Sequence, residues 1–138
     1  AAAGAEPVFV NATAETGYHA VPTALLVTAI LHGNNLRNIE SDAAAGIRTV
    51  ATLLGEGRSR FFLDLLLFFP FLLLPLLILT EVAPITVLLA LPALLRAIAL
   101  SRTVHRGEAL MLLPMQTAQL HLLFSILYIS GVLLGRIL

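Results

Sequence analysis

The sequence contains no cysteine and no lysine. The missing cysteine excludes disulfides, thiolate metal sites and cysteine nucleophiles. Because lysine is missing, all the basic residues are arginines, and eight carboxylates balance the eight of them to a net charge of zero. A chain without net positive charge has no bulk electrostatic attraction for nucleic acid. We therefore expect no nucleic-acid partner.

Charge of either sign is scarce, and apolar residues dominate. Hydrophobic residues make up 59% of the 138 residues and charged residues 12%, and the mean hydropathy is +0.96. These values lie outside the range of ordinary soluble domains. The long apolar runs lack the period-two alternation of strands, which favours helices. The sequence therefore predicts an all-α integral membrane protein in contact with membrane lipid.

The apolar runs divide the chain into a short polar lead and one membrane domain. Residues 1–17 are small and polar and predict a flexible or surface-lying lead, and residues 18–138 form the membrane domain. A transmembrane helix needs about 20 apolar residues to cross a bilayer. The pattern predicts four spans, near residues 18–33, 61–80, 84–100 and 117–138. Pro70 and Pro75 predict a kink in the second span.

The arginines predict which loops share a membrane face. With four spans, seven arginines fall on one side and only Arg136 on the other. Cytoplasmic loops carry an excess of positive charge, so residues 34–60 and 101–116 are expected on the cytoplasm-, stroma- or matrix-like face. The membrane would be that of a thylakoid, the inner mitochondrial membrane or a bacterial inner membrane.

The polar stretch that follows the first span is the most informative part of the chain. If the helix runs on past Ile30, Asn35, Asn38 and Asp42 fall at i, i+3 and i+7, on one face. Their oxygen atoms are the ligands that Mg²⁺ prefers, and Mg²⁺ usually shares its coordination with substrate phosphates. Arg37 and Arg48 are candidates for direct phosphate contacts. The competing interpretations are a capped, hydrated helix end for the asparagines and aspartate, and headgroup contacts for the arginines.

A family resemblance enters at these residues. The string Asn-Asn-Leu-Arg-x-Ile-Glu-Ser-Asp-x-x-x-Gly-Ile-x-Thr, residues 34–49, resembles the second aspartate-rich motif of the naphthoate-directed prenyltransferases, the menaquinone and phylloquinone branch of the UbiA superfamily. Leu-Pro-Met-Gln-Thr-Ala-Gln-Leu, residues 113–120, resembles the segment that opens the last helix in that family. The resemblance covers nearly everything from Tyr18 onward and identifies the chain as similar to the C-terminal half of such a protein.

The resemblance implies a nine-helix membrane fold in which two aspartate-rich motifs bind Mg²⁺ and an isoprenyl diphosphate, whose chain is transferred to an aromatic ring. It assigns diphosphate binding to Asn34, Asn35, Arg37 and Arg48, and Mg²⁺ binding to Asn38 and Asp42. Asn38 departs from the family pattern, which places an aspartate there, so the affinity for Mg²⁺ should fall. The 138 residues also contain no second helix face rich in asparagine and aspartate.

Two functions follow from this comparison. The favoured interpretation is a non-catalytic pseudoenzyme that serves as a structural subunit of a larger photosynthetic or respiratory membrane complex, in contact with other subunits and with lipid, quinone or pigment. The alternative is the C-terminal half of a Mg²⁺-dependent prenyltransferase that attaches an isoprenyl chain to a naphthoate ring. Chlorophyll is a conceivable cofactor because His121 lies within a span, although a histidine at a helix contact is the more common case. Asp64 is expected to pair with Arg60, one turn away.

Overall fold

The computed structural model describes residues 7–108 and 110–138, with side chains from residue 16 onward, and their regular secondary structure is helical throughout. Six α-helices follow one another: α1 (Pro7–Arg37), α2 (Ile39–Ala44), α3 (Val50–Leu54), α4 (Glu56–Leu79), α5 (Ala93–His105) and α6 (Leu113–Ile137). Two 3₁₀ segments, Ile85–Ala90 and Leu110–Leu112, precede α5 and α6. The predicted all-α fold class is confirmed.

Three segments of the described chain are long and apolar enough to cross a membrane. They are Glu56–Leu79, Ile85–His105 and Leu110–Ile137. The bilayer centre contains no water to hydrogen-bond the backbone N–H and C=O groups, and a helix satisfies these groups within itself. The first predicted span, residues 18–33, lies inside α1, which has the length to cross but is less apolar than the three segments. The chain is thus a membrane protein in which three of the four predicted spans correspond to segments long and apolar enough to cross a bilayer.

The long helices run alternately up and down. α1 packs against both α4 and α6, and α5 also packs against α4 and α6. The buried core lies where these helices meet and includes Leu26 of α1, Leu67 of α4 and Phe124 of α6. Phe124 meets Phe71 edge to face and stacks on Tyr128. The C-terminal end of α1, the start of α4, the end of α5 and the start of α6 therefore lie at one end of the bundle, which we call the motif end.

Small residues allow α6 to approach the 3₁₀ segment very closely at the opposite end. A Cβ atom on Gly131 would lie 2.8 Å from Val87 Cα and closer still to the Thr86 carbonyl. The Thr86 hydroxyl donates a 2.6 Å hydrogen bond to the Gly131 carbonyl. Gly131 and Gly135 are four residues apart, which is the small-residue spacing that brings membrane helices into backbone contact.

Several predicted boundaries differ from the structure. Helix α1 begins at Pro7, so residues 7–17 are helical, while residues 1–6 of the expected lead lie outside the described residues. α6 begins at Leu113, four residues before the predicted span. Arg96 lies well inside the segment Ile85–His105 and bonds to Gln119 of α6, so it does not belong to the arginines at the motif end. α4 is continuous through Pro70 and Pro75, and its kink stays a prediction.

The polar stretch of residues 34–60 is more ordered than a loop. It contains α2 and α3, and Thr49 caps α3 through a reciprocal capping box with Thr52, in which each side chain bonds the other residue's backbone N–H. Such caps satisfy the free N–H groups at a helix start. This cap fixes the direction in which the chain returns from the motif end to α4.

Candidate functional site

The candidate site is the polar surface at the end of α1. Asn34, Asn35 and Arg37 occupy its last turn, Asn38 follows it, and Asp42 lies in α2. All five are partly exposed, whereas the neighbouring Leu36 is buried at 1% exposure. Burial of Leu36 turns this face of the helix away from the core. The polar side chains therefore lie on the surface of the bundle, and the packing of Leu36 holds the backbone beneath them in place.

Arg37 holds two of the asparagines together. Its guanidinium donates from an Nη atom to Asn34 Oδ1 at 2.7 Å and from Nε to Asn38 Oδ1 at 3.1 Å. Asn38 precedes α2 but makes no side-chain cap to it. Asn38 therefore does not act as the side-chain cap of α2, and the interpretation of these residues as a hydrated helix end stays a prediction. The structure brings Asn34, Arg37 and Asn38 into one hydrogen-bonded group.

The backbone carries helical spacing across the junction between α1 and α2. The Asn38 N–H donates to the Asn34 carbonyl at 3.2 Å, and the Asp42 N–H donates to the Asn38 carbonyl at 2.8 Å. These are i to i−4 bonds, so the single-residue break at Asn38 does not rotate α2 out of register. Asn35, Asn38 and Asp42 thus keep the approximate i, i+3, i+7 relation on which the sequence argument depended.

Buried contacts behind this surface fix its position, and sequence reasoning assigned them no role. His32 is 3% exposed and donates from Nε2 to the Ser59 carbonyl at 2.9 Å, while Ser59 Oγ donates to the Ala51 carbonyl at 3.2 Å. Phe62 meets the His32 ring edge to face. On the other side, a Cβ on Gly33 would lie 3.3 Å from Leu113 of α6. The end of α1 is therefore held by α3, α4 and α6 together.

Other predicted residues lie apart from this group. Arg48 is exposed between α2 and α3 and makes no hydrogen bond or ion pair to any described residue. The expected pair between Asp64 and Arg60 is wrong: Asp64 Oδ2 bonds to His105 Nε2 at 2.6 Å, and Arg60 pairs with Glu56. Arg60 reaches the His105 carbonyl as well, at 3.2 Å. Asp64 therefore contacts a residue 41 positions away in place of the arginine one helical turn before it.

His121 is half-buried within the last apolar segment. Its Nε2 lies 3.5 Å from Ser125 Oγ, one turn along α6. This is a weak local hydrogen bond, and it is the arrangement of a histidine at a helix surface. A role as pigment ligand stays a prediction.

The donor set at the end of α1 fits a share of a magnesium site. Mg²⁺ prefers oxygen ligands and is usually held by one or two carboxylates with water and substrate phosphate. The asparagine amides and the Asp42 carboxylate supply such oxygens on one surface, and Asn35 and Asp42 are free of the Arg37 contacts. Among the side chains that the structure describes, those of residues 16–108 and 110–138, no three histidine or carboxylate groups converge as a complete metal site. The surface is suited to hold a cation only together with further ligands.

Comparison with known proteins shows which family the chain resembles. The model of the UbiA prenyltransferase family matches residues 1–115. The chain is 41% identical over 118 residues to human (Homo sapiens) UbiA prenyltransferase domain-containing protein 1 and 40% identical over 118 residues to the rat (Rattus norvegicus) protein, in both cases over 85% of this chain and 34% of the relative. The fruit fly (Drosophila melanogaster) homologue is 37% identical over 111 residues, 80% of this chain and 30% of its own length.

The chain thus spans about a third of the length of these relatives. The family match includes residues 34–49 and the helices α1 to α5. With a family match over more than four fifths of its residues, the chain belongs to the UbiA prenyltransferase family.

Proposed function

We propose that this chain supplies one half of the isoprenyl diphosphate and Mg²⁺ site of an aromatic prenyltransferase of the naphthoate, menaquinone and phylloquinone branch. The observation that carries the proposal is the preformed polar group at the end of α1, in which Arg37 bonds Asn34 and Asn38 while Asp42 follows one turn later. A capped helix end has no need for a guanidinium held between two amides.

Each side chain has a task in this function. The Arg37 guanidinium presents planar N–H donors to the oxygens of a diphosphate, a pairing stronger than that between neutral groups. The Asp42 carboxylate and the Asn35 amide offer oxygen ligands for Mg²⁺, and Asn38 Oδ1 can do so through the lone pair that its bond from Arg37 leaves open. When bound, the metal supplies charge neutralisation for the departing pyrophosphate. Arg48, which is exposed between α2 and α3, is the further candidate for a phosphate contact.

The other half of the site must come from outside these residues. The relatives are about three times as long as the matched segment, and the donor set described above is incomplete for a metal. Asn38 also replaces a carboxylate of the family pattern, which removes one negative charge near the cation. We infer that a second set of carboxylates on another helical unit completes the coordination.

The alternative function, a non-catalytic structural subunit of a large membrane complex, stays a prediction. It accounts for Asn38 as the loss of a carboxylate that catalysis no longer requires. It gives no reason for the bonds that hold Asn34, Arg37 and Asn38 in one group. We therefore favour the half-site.

The test is Mg²⁺-dependent binding of farnesyl diphosphate, measured by equilibrium dialysis on the chain purified in mild detergent together with the helical unit that completes the site. Asp42→Asn should weaken binding about tenfold, the scale of one lost charge-assisted contact. Asn38→Asp should strengthen the Mg²⁺-dependent part by a similar factor, because it restores a charged ligand. Glu108→Gln is the matched control, since Glu108 is an exposed carboxylate on the connector before α6.

Equal binding by all four proteins would refute the half-site. Recovery of the chain from its native membrane inside a many-subunit complex, without Mg²⁺-dependent diphosphate binding, would favour the structural subunit. Recovery with a partner that carries an aspartate-rich helix, and pyrophosphate release by the pair, would support the enzyme.

A further inference from the structure

The end of the bundle opposite the motif carries a second polar surface. A pocket of about 500 Å³ lies between the turn after α4, the start of the 3₁₀ segment and the last turns of α6. Its charged walls are Glu81, from the turn, and Arg136, from α6, and His19 of α1 borders it. The volume is in the range of small-molecule sites, roughly 300–1,000 Å³.

Glu81 and Arg136 face this pocket without neutralising each other. Both are exposed, and the two ion pairs of the described residues lie elsewhere, at Arg60 with Glu56 and His105 with Asp64. Glu81 also has a φ of 60°, a left-handed conformation that non-glycine residues rarely adopt. Glu81 thus occupies a tight turn with a left-handed backbone conformation, and this turn lies at the edge of the pocket.

The position of Arg136 is unusual for this chain. Six of the eight arginines belong to the motif end and Arg96 lies within an apolar segment, so Arg136 is the one arginine at the opposite end. The usual excess of arginine on one membrane face therefore does not account for it. A phosphate at the membrane surface is a natural partner for a guanidinium there.

An apolar groove continues from the pocket along the bundle. It has a volume of about 350 Å³, runs between α1 and α6, and shares His19, Val132 and Arg136 with the pocket. Ala20 and Ile129 line its walls further along. His19 is held in place by a 2.8 Å hydrogen bond between its Nδ1 and the Tyr128 hydroxyl. The surface thus has a cation, an anion and an adjoining apolar channel at the level where a span ends.

We propose that this surface binds a zwitterionic glycerophospholipid with a primary amine headgroup. The lipid phosphate accepts hydrogen bonds from Arg136, the ammonium donates to Glu81, and one acyl chain occupies the groove between α1 and α6. An anionic lipid leaves Glu81 without a partner, and a quaternary ammonium headgroup has no N–H to donate to it. The site lies at the end of the bundle remote from Asp42, so it is independent of the proposed function.

Native mass spectrometry of the purified chain, with defined lipids added to the detergent micelle, tests this site. Phosphatidylethanolamine should be retained about tenfold more than phosphatidylcholine of the same acyl chains, a difference on the scale of one charge-assisted hydrogen bond. Glu81→Gln should abolish that preference. Arg136→Gln should lower retention of both lipids. Glycerophosphoethanolamine, the headgroup without acyl chains, should bind far more weakly than the lipid.

Glu108→Gln and Arg102→Gln are the matched controls, because both residues are exposed at the motif end. Circular dichroism should show unchanged helicity in all four variants. Equal retention of the two lipids by the unaltered chain would overturn the proposal, as would retention that no variant at Glu81 or Arg136 changes. A variant that converts a dimer into a monomer without altering lipid retention would show that a second copy covers this surface, and would also overturn it.

Discussion

Gly131→Ala tests the close approach between α6 and the 3₁₀ segment. The substitution adds one methyl group, and its carbon would stand 2.8 Å from Val87 Cα and nearer still to the Thr86 carbonyl. These are backbone atoms, so no side chain can rotate to make room. Either α6 or the segment Ile85–Ala90 has to move.

The cost follows from two contacts. Overpacking of a well-packed region costs about 1–3 kcal/mol. The movement that relieves it also lengthens the 2.6 Å hydrogen bond from the Thr86 hydroxyl to the Gly131 carbonyl, which is worth about 1 kcal/mol. Alanine regains a few tenths of a kcal/mol from its better helix propensity, up to about 1 kcal/mol in an exposed helix. We expect a net loss of about 2–3 kcal/mol.

The assay is thermal unfolding of the purified chain in mild detergent, followed by circular dichroism at 222 nm. For a domain of this length, about 2–3 kcal/mol corresponds to a fall of roughly 6–12 °C in Tm. Gly57→Ala is the matched control, because Gly57 lies in α4 and a Cβ there meets nothing within 4 Å. The control should leave Tm unchanged or raise it slightly.

A Gly131→Ala protein that unfolds at the temperature of the unaltered chain would refute this reasoning. It would mean that α6 and the 3₁₀ segment can separate without cost, and that the packing at this end does not contribute to stability. An equal loss in the Gly57 control would show instead that the detergent-solubilised chain is sensitive to any change in its helices.

Two further predictions concern the contacts at the motif end. His32→Ala leaves the Ser59 carbonyl without its 2.9 Å donor and opens a cavity between α1 and α4. Tm in the same assay should therefore fall by an amount equivalent to about 2–4 kcal/mol. His32→Gln keeps an N–H donor and should recover part of the loss. Asp64→Asn weakens the contact with the partly exposed His105 and should lower the stability by no more than about 1 kcal/mol. The effect should be smaller at 1 M salt than at low salt. A loss of stability as large as that of His32→Ala would contradict this ranking.

The apolar spans could be predicted from composition because the bilayer imposes a simple length rule. The run at residues 61–80 corresponds to α4, Glu56–Leu79, and the run at 84–100 to the segment Ile85–His105. What composition does not give is the start of a helix in polar sequence. Hydropathy marks where a chain becomes apolar, and helical hydrogen bonding in α1 begins earlier, at Pro7.

The candidate site was predictable as a set of residues but not as a set of bonds. Helical spacing indicated that Asn35, Asn38 and Asp42 share a face, because that relation is local. The bonds of Arg37 to Asn34 and Asn38 depend on side-chain rotamers that spacing does not determine. The bond between Asp64 and His105 joins residues 41 positions apart, and only the packing of α4 against α5 brings them together.

The same bond, with the reach of Arg60 to the His105 carbonyl, has a mechanical consequence. It joins α4 to α5 at the motif end, while the Thr86 hydroxyl joins the segment leading into α5 to α6 at the opposite end. One helical turn is 5.4 Å long, so sliding either neighbour along the membrane normal by one turn would break the contact on its side. The two contacts therefore oppose axial sliding of the apolar segments past one another, each by about 1 kcal/mol, and they oppose tilting less.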